Sequence, residues 1–416
     1  MRVTRRSVIA AGAASLLPWA RGDAIETANA IAVADLPKAL PAKNAFSPMS
    51  AAYLNSASTH PFSIGARRAV EQYLYARSGE LGAPHFGLDA TGERVRTKFA
   101  ALINANPEEI CLVQSTTAGE QLVVQALDIP AVGGRIVTDT LHFPSSSYLY
   151  QAMAKLGMDV VWLKPRDGRS VAPADLESAM TKQTRLVALS LVSNVNGFQH
   201  DLKKVCEIAH ANGALVYADI VQAAGVVPVD VRDSDVDFAA CASYKWLMGD
   251  FGLGLLYSRQ DLLDRVKRTQ YGYYQLTNLH THVYPFDLPA NTPITYDVRR
   301  DATGHFATGT TSGAGVAQLD HSLDYIRQLG VENIQHYRQP LLDKARVELE
   351  RKHYRCMTPA GSTSPILTFI YSDAGKLAAR LDAANVRIAL IDNRFRISVS
   401  VFNDMQDIDR LIEALT

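Results

Sequence analysis

The run Ala214-Leu215-Val216-Tyr217-Ala218-Asp219 is apolar until its last residue, where it ends in an acid. A short unbroken apolar run reads as a strand buried on both faces, the kind that makes a parallel sheet. In such a sheet the carboxyl ends of the strands open on the ligand crevice. Asp219 is therefore a candidate site residue, although a helix N-cap fits the position equally well. Gln222 stands three residues on and could face the same crevice. Further along, Ala242-Ser243-Tyr244-Lys245-Trp246-Leu247-Met248-Gly249 sets a lysine between apolar, strand-like runs. Burial there would lower the lysine pKa and make the amine nucleophilic near neutral pH. The plain alternative is a solvated lysine in a surface loop.

Working outward, the same rhythm extends in both directions. Residues 108–113, 134–138, 159–163, 184–191 and 214–218 read as buried strands, with 237–242 and 254–257 flanking the Lys245 loop. Between them, 119–127, 146–156, 173–180 and 202–212 carry helical periodicity. Regular alternation predicts an α/β fold, a mostly parallel sheet with helices on both faces. Residues 265–305 break the pattern, and the length of this aromatic, polar stretch predicts a functional loop. The helix-like segment 313–329 follows. Then come helix 332–352, strand 366–371, helix 374–384, strand 394–401 and helix 405–415, a second, smaller α/β unit. The expected domains are 45–305, large and ligand-binding, and 306–416, small and C-terminal.

Composition agrees with an ordinary globular enzyme: 416 residues, 47% apolar, 20% charged, formal net charge zero. Balanced charge gives no sign of nucleic acid as a partner. No internal stretch approaches the about 20 apolar residues of a spanning helix. Residues 1–34 stand out. Arg2, Arg5 and Arg6 precede an Ala-rich apolar run, with small-residue exits at Ala28-Asn29-Ala30 or Ala32-Val33-Ala34. This is the layout of an export signal, and Thr4-Arg5-Arg6-Ser7-Val8-Ile9 is similar to a twin-arginine address read by folded-protein export machinery. The expectation is a periplasmic protein; a frayed N-terminus on a cytoplasmic one is the alternative. The four cysteines, Cys111, Cys206, Cys241 and Cys356, are too scattered for a disulfide framework and read as buried thiols. The eleven histidines show no metal-ligand spacing, so no metal is expected, and His280-Thr281-His282 reads as loop surface.

An amine that can be held as an imine and a carboxylate that can neutralise a protonated pyridine are the two protein groups required by pyridoxal phosphate chemistry. Lys245 and Asp219 supply them. Ser115-Thr116-Thr117-Ala118-Gly119, between a strand and a helix, offers hydroxyls and backbone N–H groups for a phosphate. Thr117 followed by Glu120 also fits a plain capping box. The glycine run 249–254 lacks the strand-to-helix setting of a nucleotide loop.

Asp219, Gln222, Ser243-Tyr244-Lys245-Trp246 and the glycines after them together resemble the class V aminotransferase branch of fold type I pyridoxal phosphate enzymes, from about residue 50 to the C-terminus. The resemblance implies that Lys245 holds the cofactor as a Schiff base and that Asp219 binds its ring nitrogen. It assigns Gln222 and Asn194 to the phenolic oxygen, and Thr116, Thr117, Ser243 and Tyr244 to the phosphate. Thr310 matches a threonine that serves the neighbouring subunit's phosphate, which implies a homodimer with shared sites. In His142-Phe143-Pro144-Ser145, Phe143 would stack on the cofactor and His142 would lie near the substrate, or else be an ordinary hydrogen-bonded histidine. Arg396, in Arg394-Phe395-Arg396-Ile397-Ser398, matches the arginine that grips the substrate carboxylate, a task suited to a planar fork.

One departure matters. Cysteine desulfurases carry a nucleophilic cysteine shortly before the Arg-Ile-Ser strand, whereas residues 386–393 here contain none. The expected activity is therefore amino-group chemistry on an amino acid, aminoacyl or peptide substrate. It is aminotransferase-like, or a side-chain tailoring like that of the periplasmic members acting on pyoverdine-type siderophores. Epimerisation like that of isopenicillin N epimerase, carbon–carbon or carbon–sulfur lysis, and a cofactor-binding protein without catalysis are the alternatives.

Overall fold

The structure, a computed structural model, describes residues 39–79 and 90–416. The segment carrying the export expectation lies outside the described residues.

Seven strands form the main sheet, in the order Ile110–Val113, Gly254–Ser258, Phe238–Ala242, Leu215–Asp219, Thr184–Ser190, Arg135–Asp139, Asp159–Leu163. Gly254–Ser258 pairs antiparallel on both sides, and every other neighbouring pair is parallel. Side chains alternate across a strand, and here successive residues enter opposite cores. Val137, Val187, Val216 and Leu255 belong to one buried cluster; Ile136, Leu186, Tyr217 and Leu256 belong to the other. Where both faces are covered, as in Leu215–Asp219 and Phe238–Ala242, the strand reads as a nearly continuous apolar run.

Helix Thr116–Ala126 is capped by Ser115, whose hydroxyl accepts from Ala118 N–H. The capping box expected of Thr117 and Glu120 does not form, because Glu120 turns inward and is buried. Helix Gly313–Leu329, inside the range expected for the small domain, adds Val316, Leu319, Leu323 and Ile326 to the main-sheet core.

A four-stranded antiparallel sheet follows, ordered Arg355–Cys356, Ile366–Ile370, Arg394–Ser398, Ala389–Ile391. Helices Val331–Arg351 and Met405–Ala414 cover it through Leu342, Leu349, Ile408 and Leu411. The early segment Ala52–Tyr53 pairs parallel with Val386–Arg387, and Ser398 N–H donates to Leu54 O at 2.8 Å. That pairing carries residues 54–60 over to the small sheet. The aperiodic stretch 265–305 contains an antiparallel pair, Leu276–Thr281 with Ile294–Val298, largely exposed. His282 spends its ring nitrogens there on Leu288 O and Thr295 Oγ1.

Gly225 locks the lysine loop to the fold. Its φ is +90°, and a Cβ would stand 2.8 Å from the Trp246 carbonyl oxygen, one residue past Lys245. Gly225→Ala is expected to cost about 1–3 kcal/mol from backbone strain, measured as a lower denaturation midpoint. An unchanged midpoint would show that the Trp246 segment yields freely.

Candidate active site

Parallel register brings the strand ends level. Ser190 and Asp219 are Cα partners, and Asp219 in turn pairs with Ala240. Residues 139–143, 190–194, 219–222 and 243–246 therefore leave the sheet along one edge. Asp219 is 2% exposed. Its Oδ1 accepts from Val221 N–H at 2.9 Å, and its Oδ2 lies 3.5 Å from Ser190 Oγ. Among the described residues no cation reaches it within ion-pair distance. Burial raises its pKa, and His142 and Lys245 pull it back.

Lys245 is 5% exposed. Burial lowers its pKa to about 8, against the opposing pull of Asp219 and with help from Arg396. Its Nζ lies 5.4 Å from the Phe143 ring centre and 5.6 Å from that of Tyr244. The amine and the acid thus share one crevice, with Phe143 beside the amine.

On the phosphate side, Thr116 Oγ1 accepts from Ala242 N–H at 2.9 Å, and Thr117 Oγ1 lies 2.9 Å from Ser145 Oγ. These hydroxyls join two helix N-termini, Thr116–Ala126 and Pro144–Lys155, whose first N–H groups suit an anion. Ser243 is placed differently from the expectation. Its hydroxyl donates to the carbonyls of Asp250 and Leu253, at 2.7 and 2.9 Å, closing the glycine turn. Tyr244 stacks on Phe251, with ring centres 4.4 Å apart. Gln222 donates to Ala57 O at 3.1 Å and accepts the Trp246 indole N–H at 2.8 Å. Only its second amide hydrogen remains for a ligand, so the residue chiefly braces the loop. Thr310 is exposed, in the loop ahead of Gly313–Leu329.

On the substrate side, Arg396 is 6% exposed. It donates to Asn194 O at 3.0 Å and to Ser58 Oγ at 2.7 Å, and its Nε has no partner. Burial lowers its pKa to about 10, with Arg394 adding to the effect. No carboxylate lies within ion-pair distance of it among the described residues. Asn194 Oδ1 is also buried without a donor.

His142 does not line the substrate space. It is 2% exposed, and both ring nitrogens are engaged, Nδ1 by Ser190 and Nε2 by Glu120. The rigid turn Leu141–Pro144 presents Phe143 and sends His142 inward. Sequence reasoning missed Glu120, Ser190, Ser58 and His60. Glu120 had a signal, since it shares the buried helix face with Val123 and Val124. His60, held by Pro61 O and Ser400 Oγ, is buried, which lowers its pKa to about 4. Ser400 comes from the other end of the chain.

A buried acid lacking a cation, a buried guanidinium lacking an acid, and an amine freed near neutral pH fit pyridoxal phosphate with an amino-acid substrate. Lys245, Asp219, Phe143, Thr116 and Thr117 would hold the cofactor.

Residues 52–411 match the family described as Aminotransferase class-V. A cysteine desulfurase of Pectobacterium atrosepticum is 28% identical over 392 residues, covering 88% of this chain and 92% of that one. The cysteine desulfurase CsdA of Escherichia coli superposes with a TM-score of 0.77 at 23% identity, over 90% of this chain and 97% of that one. A lyase, C-DES, solved with glycine covalently linked to its PLP cofactor, gives 0.75 at 19% identity, over 88% and 96%. These last two likenesses concern the fold.

Borohydride reduction of the loaded protein should fix the cofactor's mass on the peptide containing Lys245, and Lys245→Ala should show no such mass. A proton leaves the Lys245 ammonium as pH rises through about 8. Capture of pyridoxal phosphate by cofactor-free protein should therefore accelerate with pH and level off above about that value. A rate flat from pH 6 to 9, give or take about a unit, would contradict a buried, depressed amine.

Proposed function

This chain belongs to the Aminotransferase class-V family, and we propose that it breaks a bond at Cα of an amino acid, aminoacyl or peptide substrate in order to move or tailor the amino group. It is an enzyme, and its cofactor is pyridoxal 5′-phosphate. When bound, that cofactor supplies an electron-poor ring that lowers the barrier to breaking a bond next to the substrate nitrogen.

The carrying observation is Arg396: a buried guanidinium without an acid, whose charge acts on the Lys245 amine. A substrate carboxylate would complete its hydrogen bonds and satisfy its buried charge. Asn194 O and Ser58 Oγ fix the plane of the fork, so the carboxylate is gripped in one orientation. Lys245 then has a neutral Nζ near pH 8 that can take the Cα proton and return it elsewhere, as general base and then general acid. Asp219 would hold the proton on the cofactor's ring nitrogen. Phe143 and Tyr244 shield the amine from water.

Lysis of a carbon–sulfur bond is the second reading, favoured by relatives named cysteine desulfurase. Sulfur transfer through a cysteine of this chain has little support. All four thiols are buried, and burial raises the pKa of each, Cys111 to about 12. Export through a twin-arginine route, with a periplasmic peptide as substrate, rests on residues 1–34 and is checked by fractionating cells. A homodimer rests on Thr310 and is checked by light scattering.

Arg396→Lys is expected to raise KM for α-carboxylate substrates roughly 10- to 100-fold, the equivalent of about 1.5–3 kcal/mol of charge-assisted hydrogen bonding. The effect on kcat should be smaller. An equal loss with an amine lacking the carboxylate would remove Arg396 from substrate binding. Keto acid formed from the substrate identifies transamination. Solvent deuterium entering Cα without loss of amine identifies epimerisation, and release of sulfide identifies lysis.

A further inference from the structure

Glu120 sits inside the protein, 1% exposed, on the inner face of helix Thr116–Ala126. Three donors meet its carboxylate: Tyr150 Oη at 2.7 Å and His142 Nε2 at 3.2 Å on Oε1, and Ser146 Oγ at 2.5 Å on Oε2. Across the imidazole, His142 Nδ1 lies 2.8 Å from Ser190 Oγ. That hydroxyl in turn lies 3.5 Å from Asp219 Oδ2. Glu120, His142, Ser190 and Asp219 thus form a continuous buried chain ending at the crevice.

A serine has one O–H and an ionised carboxylate only accepts, so the Ser190 hydroxyl donates either to Asp219 Oδ2 or to the nearer His142 Nδ1. In both arrangements the imidazole joins Ser190 to Glu120. Burial alone would lower the His142 pKa, but Glu120, Asp219 and Asp139 raise it. Of the other charged groups nearby, Asp139 is engaged by His200 at 3.0 Å, and Lys245 acts on Asp219 from the crevice side.

We propose that Glu120, His142 and Ser190 are positioning residues that hold the Asp219 carboxylate oriented toward a protonated ring nitrogen of the cofactor. Glu120 anchors the His142 ring at Nε2, and His142 Nδ1 in turn fixes the Ser190 hydroxyl. Ser190 then satisfies one Asp219 oxygen while Val221 N–H satisfies the other. This inference rests on reading Asp219 as the partner of that nitrogen.

The test compares two ligands on cofactor-free protein: pyridoxal phosphate, and its 1-deaza analogue, in which a C–H replaces the ring nitrogen. Glu120→Gln keeps the shape and removes the charge. It should raise the dissociation constant of pyridoxal phosphate about tenfold and that of the deaza analogue less than about twofold. Ser190→Ala, which cuts the chain at its other end, should show the same selectivity, and the double variant should lose little more than either alone. Equal weakening of both ligands, or none for pyridoxal phosphate, overturns the proposal. If Glu120→Gln does not fold, Ser190→Ala decides. Asp219→Asn separates the two layers. Selectivity there but not in the other two variants defeats only the relay, whereas no selectivity in Asp219→Asn defeats the reading of Asp219 itself.

Discussion

Charge left unbalanced inside the protein governs this site. Asp219, Lys245 and Arg396 are all buried, and none has an oppositely charged partner within ion-pair distance among the described residues. Burying an ion costs several kcal/mol unless its field is met. The fold bears that cost because strand register leaves no choice: Ser190, Asp219 and Ala240 are level, and whatever follows each strand converges on the same edge. The shifts in pKa all point in the direction expected of groups awaiting a ligand. The acid rises, and the amine and the guanidinium fall. A ligand with a cationic ring, an electrophilic carbon and a carboxylate would relieve all three together.

The substrate half of the crevice depends on a different constraint, the meeting of the two ends of the chain. Arg396 sits mid-strand between Thr368 and Ala389, fixed by antiparallel register. Ser58, which grips its fork, arrives through the pairing of Ala52–Tyr53 with Val386–Arg387 and through Ala57 N–H bonding to Ser398 Oγ. Asn194, the other contact, lies in the turn that follows the main-sheet strand Thr184–Ser190. Two sheets and the N-terminal segment therefore hold one guanidinium, and any shift of the small sheet moves the carboxylate site relative to Lys245.

Legibility in the sequence followed burial. The central strands of the main sheet were readable because both faces are covered, so Leu215–Asp219 and Phe238–Ala242 show as apolar runs with nearly correct ends. The pair Leu276–Thr281 and Ile294–Val298 was not, since it is largely exposed and leaves no alternation. In the site, Lys245 and Asp219 were readable because a charged residue at the end of an apolar run is conspicuous. Ser243 and Gln222 were assigned to the ligand, yet their side chains hold the loop to the fold through Asp250 O, Leu253 O, Ala57 O and Trp246 Nε1. Such hydrogen bonds depend on tertiary placement, which spacing does not encode. His142 shows the same limit, for a histidine beside a stacking phenylalanine reads as exposed to ligand, and only the turn geometry sends it to Glu120.

The same reasoning separates what this chain shares with the desulfurases from what it lacks. The Lys245 amine, the Asp219 acid and the Thr116 and Thr117 hydroxyls that would serve the cofactor stand together at the main-sheet edge. Sulfur transfer needs in addition a thiol that can enter the crevice on a mobile arm. Here Ala389–Ile391 turns into Arg394–Ser398 through two residues, Asp392 and Asn393, in a tight antiparallel pair. A connection that short has no slack to carry a nucleophile toward Lys245. Cys356 pairs along the far strand of the small sheet, facing its core beside Phe369 and Phe395. The activity we propose for this architecture is the part that Lys245 and Arg396 would perform on their own: gripping an amino acid by its carboxylate and moving a proton at its Cα.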